Sequence, residues 1–193
     1  KVRDERREKI LASALQLFAR KGLAATRISD IAEKTGMSQG LVYHYYKSKE
    51  EIFVELIDGA MAKMNEAALN LEKLPVSARE KVVLAVEGLL KGLETNVSTS
   101  AYYFLITQTA LTDAYPEEAK EIIRTQNDVK YDVMVRIFRQ GQADGTIKNF
   151  DPQQMATQFF SSINGLALNK AIYGNRFTMP DKQILLGMLL KGN

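Results

Sequence analysis

Four ring-bearing residues stand side by side in Tyr43-His44-Tyr45-Tyr46, inside the stretch TGMSQGLVYHYYKSK of residues 35–49. His44 is the only histidine of the 193 residues, and there is no cysteine. A lone imidazole without thiolates or a carboxylate pattern makes a poor metal site, so no metal is expected. The rest of the chain has no histidine for a nucleophile–base pair and no Gly-rich phosphate loop. No catalytic residue and no cofactor are assigned, and enzymatic function is not expected. What Ser38, Gln39, Tyr43, His44 and Lys49 can do is hydrogen-bond phosphates and base edges.

Those residues need elements to position them. Ile28–Thr35 reads as one short helix and Gln39–Tyr46 as another. Gly36 suits the left-handed residue that ends a helix. Ser38 suits the cap of the next. Ala32 is small where two helices must cross, and Val42, with Ile28, Ile31 and Met37, closes the apolar contact. Helix, Gly-containing turn and crossing helix make a helix-turn-helix. The second helix would lie in a DNA major groove, with Gln39 pairing to a base, Gly40 letting the backbone approach, and Tyr43 and His44 reaching phosphate or base edges. Thr26, Arg27 and Lys49 would add phosphate contacts. Of Tyr45 and Tyr46, one is expected to pack inward against Phe18 with its hydroxyl wet. The bland alternative is a packed amphipathic surface.

Charge supports a polyanion partner. Residues 1–49 hold 11 Lys+Arg against 5 Asp+Glu, whereas the remaining 144 hold 15 against 18. The positive charge is therefore gathered at one end. No apolar run is long enough to span a bilayer. KVRDERREKI is not expected to act as a secretory signal, and the start at Lys1 leaves room for leading residues. The absence of cysteine fits a reducing cytoplasm, the expected location.

Helical periodicity recurs along the rest of the chain and strand alternation is scarce, so the fold class is all-α. Ile10, Leu11, Ala14, Leu15, Leu17 and Phe18 form a stripe ended by Gly22. A long helix runs from Lys49 to before Pro75, and another carries Val82, Val86, Leu89 and Leu93. Residues 101–111 are apolar nearly all round and should be buried. One helix is expected from Pro116 to Ala143, with the stripe Ile122, Val129, Val133, Ile137. Asp151-Pro152 opens another that runs to about Tyr173, and a last one follows Pro180.

The pattern Ile10-Leu11-x2-Ala14-x2-Leu17-Phe18-x3-Gly22, then Thr26-x4-Ile31-Ala32-x3-Gly36-x-Ser38-x-Gly40-x2-Tyr43-x-Tyr45-Tyr46-x-Ser48-Lys49-Glu50-x-Ile52, resembles the TetR family of bacterial transcriptional regulators. Tyr46 stands where that family usually has phenylalanine, and Leu41 where it often has a polar residue. The resemblance implies a homodimer with a three-helix DNA-binding domain, here residues 1–47, and a helical effector-binding and dimerisation domain, residues 48–193. It implies double-stranded operator DNA and a small-molecule effector as partners, and no membrane. The segment 152–173 resembles the family's penultimate helix, so Ser161, Ser162, Gly165, Leu166 and Ala167 are candidates for the dimer interface.

A body of some 145 residues exceeds what the DNA-binding part needs for stability. It contains Met61, Met64, Tyr102, Tyr103, Phe104, Thr107, Tyr131, Met134, Phe159 and Phe160, apolar groups with a few hydrogen-bonding tips, which suit a small organic ligand. The bland alternative is plain core. No charge looks buried there, so the effector is expected to be neutral or cationic and partly aromatic or lipophilic. Two other functions stay open: a DNA-binding regulator whose body takes a protein partner or no ligand, and a helical enzyme or carrier.

Overall fold

The computed structural model describes residues 2–192. They form ten α-helices: α1 (Val2–Ala25), α2 (Ile28–Thr35), α3 (Gln39–Tyr45), α4 (Lys49–Lys73), α5 (Ala78–Thr95), α6 (Val97–Leu111), α7 (Glu117–Gln126), α8 (Asp128–Ala143), α9 (Pro152–Tyr173) and α10 (Lys182–Leu189). Among the described residues the only β-type pairing is an isolated bridge between Ile147 and Leu190. The all-α class is therefore observed. No helix among them is long and apolar enough to cross a membrane.

The helix ends follow the local chemistry. Gly22 breaks the dihedral run of α1 at φ 81°, ψ 162°. Gly36 ends α2 in the left-handed region at φ 69°, ψ 25°, a conformation glycine adopts without steric cost. Ser38 Oγ accepts from Leu41 N at 3.2 Å and caps α3. Asp151 Oδ1 accepts from Gln154 N at 2.9 Å, with Pro152 at the first helical position of α9.

Contacts divide the chain into two compact units. The first takes residues up to Met61 together with Ala101–Thr125. Its core gathers Ile10, Leu15 and Phe18 of α1, Ile31 of α2, Val42 of α3 and Ile52, Phe53 and Ile57 of α4, all nearly or fully buried. Phe18 meets Phe53 edge-on at 5.5 Å, and Phe53 stacks on Tyr115 at 5.0 Å. The second unit takes Ala62–Ser100 and Gln126 onward. There α5, α8 and α9 pack on one another, and α10 packs on α5.

The single helix expected from Pro116 to Ala143 is two, α7 and α8, separated at Asn127. The Asn65 side chain explains the break. Its Nδ2 donates to the Gln126 carbonyl at 2.9 Å, the acceptor that an unbroken helix would offer to Lys130 N. A side chain inserted into the hydrogen-bond ladder interrupts a helix in this way.

Candidate functional site

Helix α3 divides cleanly by exposure. Val42 is fully buried and Tyr46, just past the helix, is 2% exposed. Gln39, Gly40, Tyr43 and His44 face solvent, with Tyr43 53% exposed. Positions 39, 40, 43 and 44 share one helical face. A Cβ placed on Gly40 would meet nothing within 4 Å. The protein's own packing therefore does not require glycine there, whereas close approach of another molecule would. His44 and Tyr45 meet edge-on at 5.6 Å.

Tyr46 is the inward-packed tyrosine, in one core with Phe18. Its hydroxyl is not wet. It accepts from Arg7 Nε at 3.2 Å, while Arg7 Nη2 pairs with Glu55 Oε2 at 2.7 Å. Burial pushes the Tyr46 hydroxyl up to about 12. This Tyr46–Arg7–Glu55 chain joins α3, α1 and α4, and no spacing rule in the sequence announces it.

The expected phosphate contacts separate in the structure. Arg27 is exposed at the start of α2, and its backbone N donates to Asp30 Oδ2 at 2.7 Å. Asp30 also accepts from Lys21 Nζ at 2.6 Å; that bond first, and the Arg27 N–H second, hold its carboxyl below the usual carboxylate range. Thr26 is fully buried, and its hydroxyl donates to Gly22 O at 2.7 Å, closing the turn that Gly22 opens. Its side chain is therefore not presented to solvent as expected. Lys49 is also used internally. Its ammonium donates to Leu23 O, Ala24 O and Thr26 O at 2.8, 3.0 and 2.9 Å. Three donors meet three carbonyls at the end of α1, so the role the geometry gives Lys49 is clamping α4 to α1.

The residues expected to hold a ligand fall in both units. Met61, Tyr102, Tyr103, Phe104 and Thr107 belong to the first; Met64, Tyr131, Met134, Phe159 and Phe160 belong to the second. Met61, Tyr103, Met134, Phe159 and Phe160 are buried, and the other five are half-buried. Thr107 Oγ1 donates to Tyr103 O within α6. Two surface grooves lie on the first unit, one lined by Glu51, Val54, Glu55 and Ile122, the other by Arg6, Lys9, Thr35 and Ser38. None of the ten residues lines either groove.

The expectation that the body holds no buried charge is wrong. Lys81 is 7% exposed and Lys130 is 8% exposed. Both sit in register with an apolar face: Lys130 lies four residues before Met134 and seven before Ile137, each buried. That periodicity was available in the sequence, but long cationic side chains usually carry their charge out to water and mask the signal.

On α9, Ser161 and Gly165 are exposed, Ser162 and Leu166 are half-buried, and Ala167 is fully buried. Ala167 packs within its own chain, because it lies on the inward face with Phe160 and Ile163. Exposed apolar side chains also stand on α9, at Leu168, Ile172 and Tyr173, and on α10, at Ile184 and Met188.

Residues 10–56 match the family model described as bacterial regulatory proteins, tetR family. By that match, residues 10–56 are a TetR-family segment. The matched segment runs from the core of α1 through α2 and α3 into α4. An uncharacterised HTH-type transcriptional regulator, YfiR of Bacillus subtilis, is 27% identical over 89% of this chain and 82% of its own length. The HTH-type transcriptional repressor KstR2 of Mycolicibacterium smegmatis is 26% identical over 74% of this chain and 68% of its own. A transcriptional regulator of Saccharomonospora viridis, solved in complex with choline, superposes with a TM-score of 0.78 at 22% identity, covering 98% of this chain and all of that one. With a TetR-type helix-turn-helix in residues 10–56, this chain is a transcriptional regulator, and its relatives carry regulator names and not enzyme names.

Proposed function

We propose that this protein is a ligand-responsive repressor: two copies bind a palindromic operator, and a small effector with a largely apolar body releases them. The observation that carries the DNA half is the exposed face of Gln39, Gly40, Tyr43 and His44 on a helix fixed from both sides. Gln39 reads a base edge; Tyr43, His44, Ser38 and Arg27 position the backbone. Thr26 and Lys49 act behind them, holding the α1–α2 turn. Residues 1–47 are taken as the DNA-binding domain and 48–193 as the effector and dimer domain. Operator DNA as the partner places the protein in the cytoplasm.

Two copies would present their α3 helices to major grooves about 34–36 Å apart. The dimer face is assigned to the exposed side of α9, around Ser161, Ser162, Gly165 and Leu166, together with the exposed apolar residues Ile172, Ile184 and Met188. An exposed apolar patch of this kind marks an interaction surface.

Release requires a lever. Lys49 joins the first turn of α4 to the end of α1, and Arg7 joins Glu55 of α4 to Tyr46 beside α3. Movement of the first turns of α4 therefore carries the recognition helix. A ligand that prefers the moved state lowers DNA affinity by its coupling energy, typically ~1–3 kcal/mol.

The test is capture of source-genome fragments by the purified chain at ~150 mM salt, near physiological ionic strength. Enrichment of a palindrome is expected. A folded protein that enriches none, even after unfolding, dialysis and refolding to remove any bound ligand, would refute the reading. A small-molecule panel that leaves the melting temperature and fragment binding unchanged would instead favour a regulator whose body takes a protein partner or no ligand.

A further inference from the structure

Lys130 lies in the first turn of α8. Its ammonium donates to Asn127 Oδ1 at 2.6 Å and stands 5.5 Å from the ring centroid of Tyr131 and 5.7 Å from that of Phe160. The two rings are 4.4 Å apart, and Phe159 meets Phe160 edge-on at 5.0 Å. No ion pair among the described residues includes Lys130. An ammonium has three donors, and here one neutral amide oxygen accepts from it. Burial lowers its pKa to about 8, with Asp128 opposing the shift, so at neutral pH the group is still chiefly a cation.

Structural reasons that account for the other buried lysine do not account for this one. Lys81 donates to Glu72 O at 2.6 Å, in the last turn of α4. There the helix dipole is negative and the free carbonyl needs a donor. Lys130 sits at the opposite kind of helix end, where the dipole is positive and repels it.

A second group at the same junction is also under-used. Asn65 is 8% exposed; its Nδ2 donates to Gln126 O, but its Oδ1 is buried and accepts from no described residue. Gln126 and Asn127 are consecutive, so the Asn65 and Lys130 side chains each bond to a residue at the break between α7 and α8. Leaving such groups uncompensated is unfavourable unless a partner takes them up.

We propose that Lys130 anchors the anionic head of the effector, an organic carboxylate whose apolar body packs against Tyr131, Phe159 and Phe160. The inference rests on the ligand-responsive reading and names the chemical class of its ligand. A carboxylate supplies the missing counter-charge in a charge-assisted hydrogen bond. A hydroxyl beside it, or a water carried with it, donates to Asn65 Oδ1. A cationic effector is excluded from this place, because the faces of Tyr131 and Phe160 that would attract it already face the lysine ammonium. This reverses the neutral or cationic effector expected from the sequence.

The experiment uses the full chain and matched probes: decanoate and 4-phenylbutyrate, their primary amides, and decyltrimethylammonium. Binding is read by calorimetry below micelle-forming concentrations, together with release of a captured DNA fragment. The carboxylates are expected to bind more tightly than their amides. Lys130→Met should weaken them roughly tenfold or more, with amide affinity within about twofold of the parent. Lys130→Arg should keep most of the carboxylate preference, which also guards against a misfolded Met variant. Circular dichroism melting checks both folds. Equal carboxylate affinity in parent and Lys130→Met, tighter binding of decyltrimethylammonium than decanoate, or no binding of either carboxylate would each overturn the proposal. If an amide or the ammonium probe nevertheless releases DNA, the ligand-responsive reading survives and the Lys130 anchor alone fails.

Discussion

Replacing Lys49 with alanine separates a clamp from a phosphate contact. The ammonium donates to three carbonyls at the end of α1. A typical net hydrogen bond contributes about 0.5–1.5 kcal/mol, and a cation at a helix C-terminus about 0.3–1 kcal/mol. Lys49 is half-buried, so water recovers part of the loss, and the set is worth about 1–2 kcal/mol. Lys49→Ala should lower the urea midpoint by that amount without changing the m-value. DNA affinity should fall for all sequences alike, because α3 is less firmly held. The dependence of affinity on salt should keep its slope. Arg27→Ala gives the contrasting result: the slope falls by about 1 per subunit, since one phosphate contact contributes about 0.9, while stability stays within ~0.5 kcal/mol. The assay is fluorescence anisotropy on a captured fragment across a salt series. If Lys49→Ala reduced the slope by about 1 per subunit and left stability unchanged, Lys49 would be a phosphate contact and the clamp would be wrong.

Gln39→Ala should relax base preference at one position of each half-site by ~1–3 kcal/mol while leaving the salt slope intact; a uniform loss across sequences would assign Gln39 to the backbone. At Gly141 a Cβ would come within 2.3 Å of Ile147 Cδ1 and 3.2 Å of Ala78 Cβ, both fully buried, so Gly141→Ala should destabilise by ~1–3 kcal/mol in denaturant titrations. A Cβ at Gly165 meets nothing within 4 Å of its own chain, so Gly165→Glu should leave the helical content and yield a monomer by light scattering; a surviving dimer would move the interface. For Lys130 the folded pKa of about 8 lies below the ordinary 10.5. Below pH 8 folding leaves the ammonium desolvated at full cost, and that cost fades as pH rises towards 10.5. The advantage of Lys130→Met over the parent should therefore shrink by about 2 kcal/mol between pH 7 and pH 10; a constant difference would show that Lys130 is not desolvated.

Much of the first unit is legible from residue types because each signal has one local cause. Gly36 and Ser38 sit where a left-handed residue and a cap are needed, and both are used so. Val42 and Tyr46 point inward and Tyr43 outward, as the helical period requires. Two features that residue types did not reveal involve side chains whose partners are distant in sequence. Lys49 reaches carbonyls 23 to 26 residues away, and Asn65 breaks a helix 61 residues away. A basic residue beside a recognition helix reads as a phosphate contact until its acceptors are known. The apolar stripe through Ile122, Val129, Val133 and Ile137 continues across the break at Asn127, so periodicity alone joins α7 to α8.

The lysines of this chain point to one further step. Lys49 donates to carbonyls at the end of α1, Lys81 to Glu72 O near the end of α4, and Lys148 to Gly187 O near the end of α10. In each case a flexible cation brings a donor to the negative end of a helix, where two needs are met together: free carbonyls gain a partner and the dipole gains a counter-charge. Lys130 follows neither part of that pattern. It stands at the positive end of α8 and meets an amide oxygen in place of a helix-end carbonyl. Methionine would fill the same space without desolvating a charge, and it already occupies position 134 one turn on. A lysine that lowers the stability of the unliganded fold is accounted for physically by a state in which an anion faces it. The same cost raises the coupling: the more Lys130 lacks in the free protein, the larger the difference a carboxylate can make between the two states of the body.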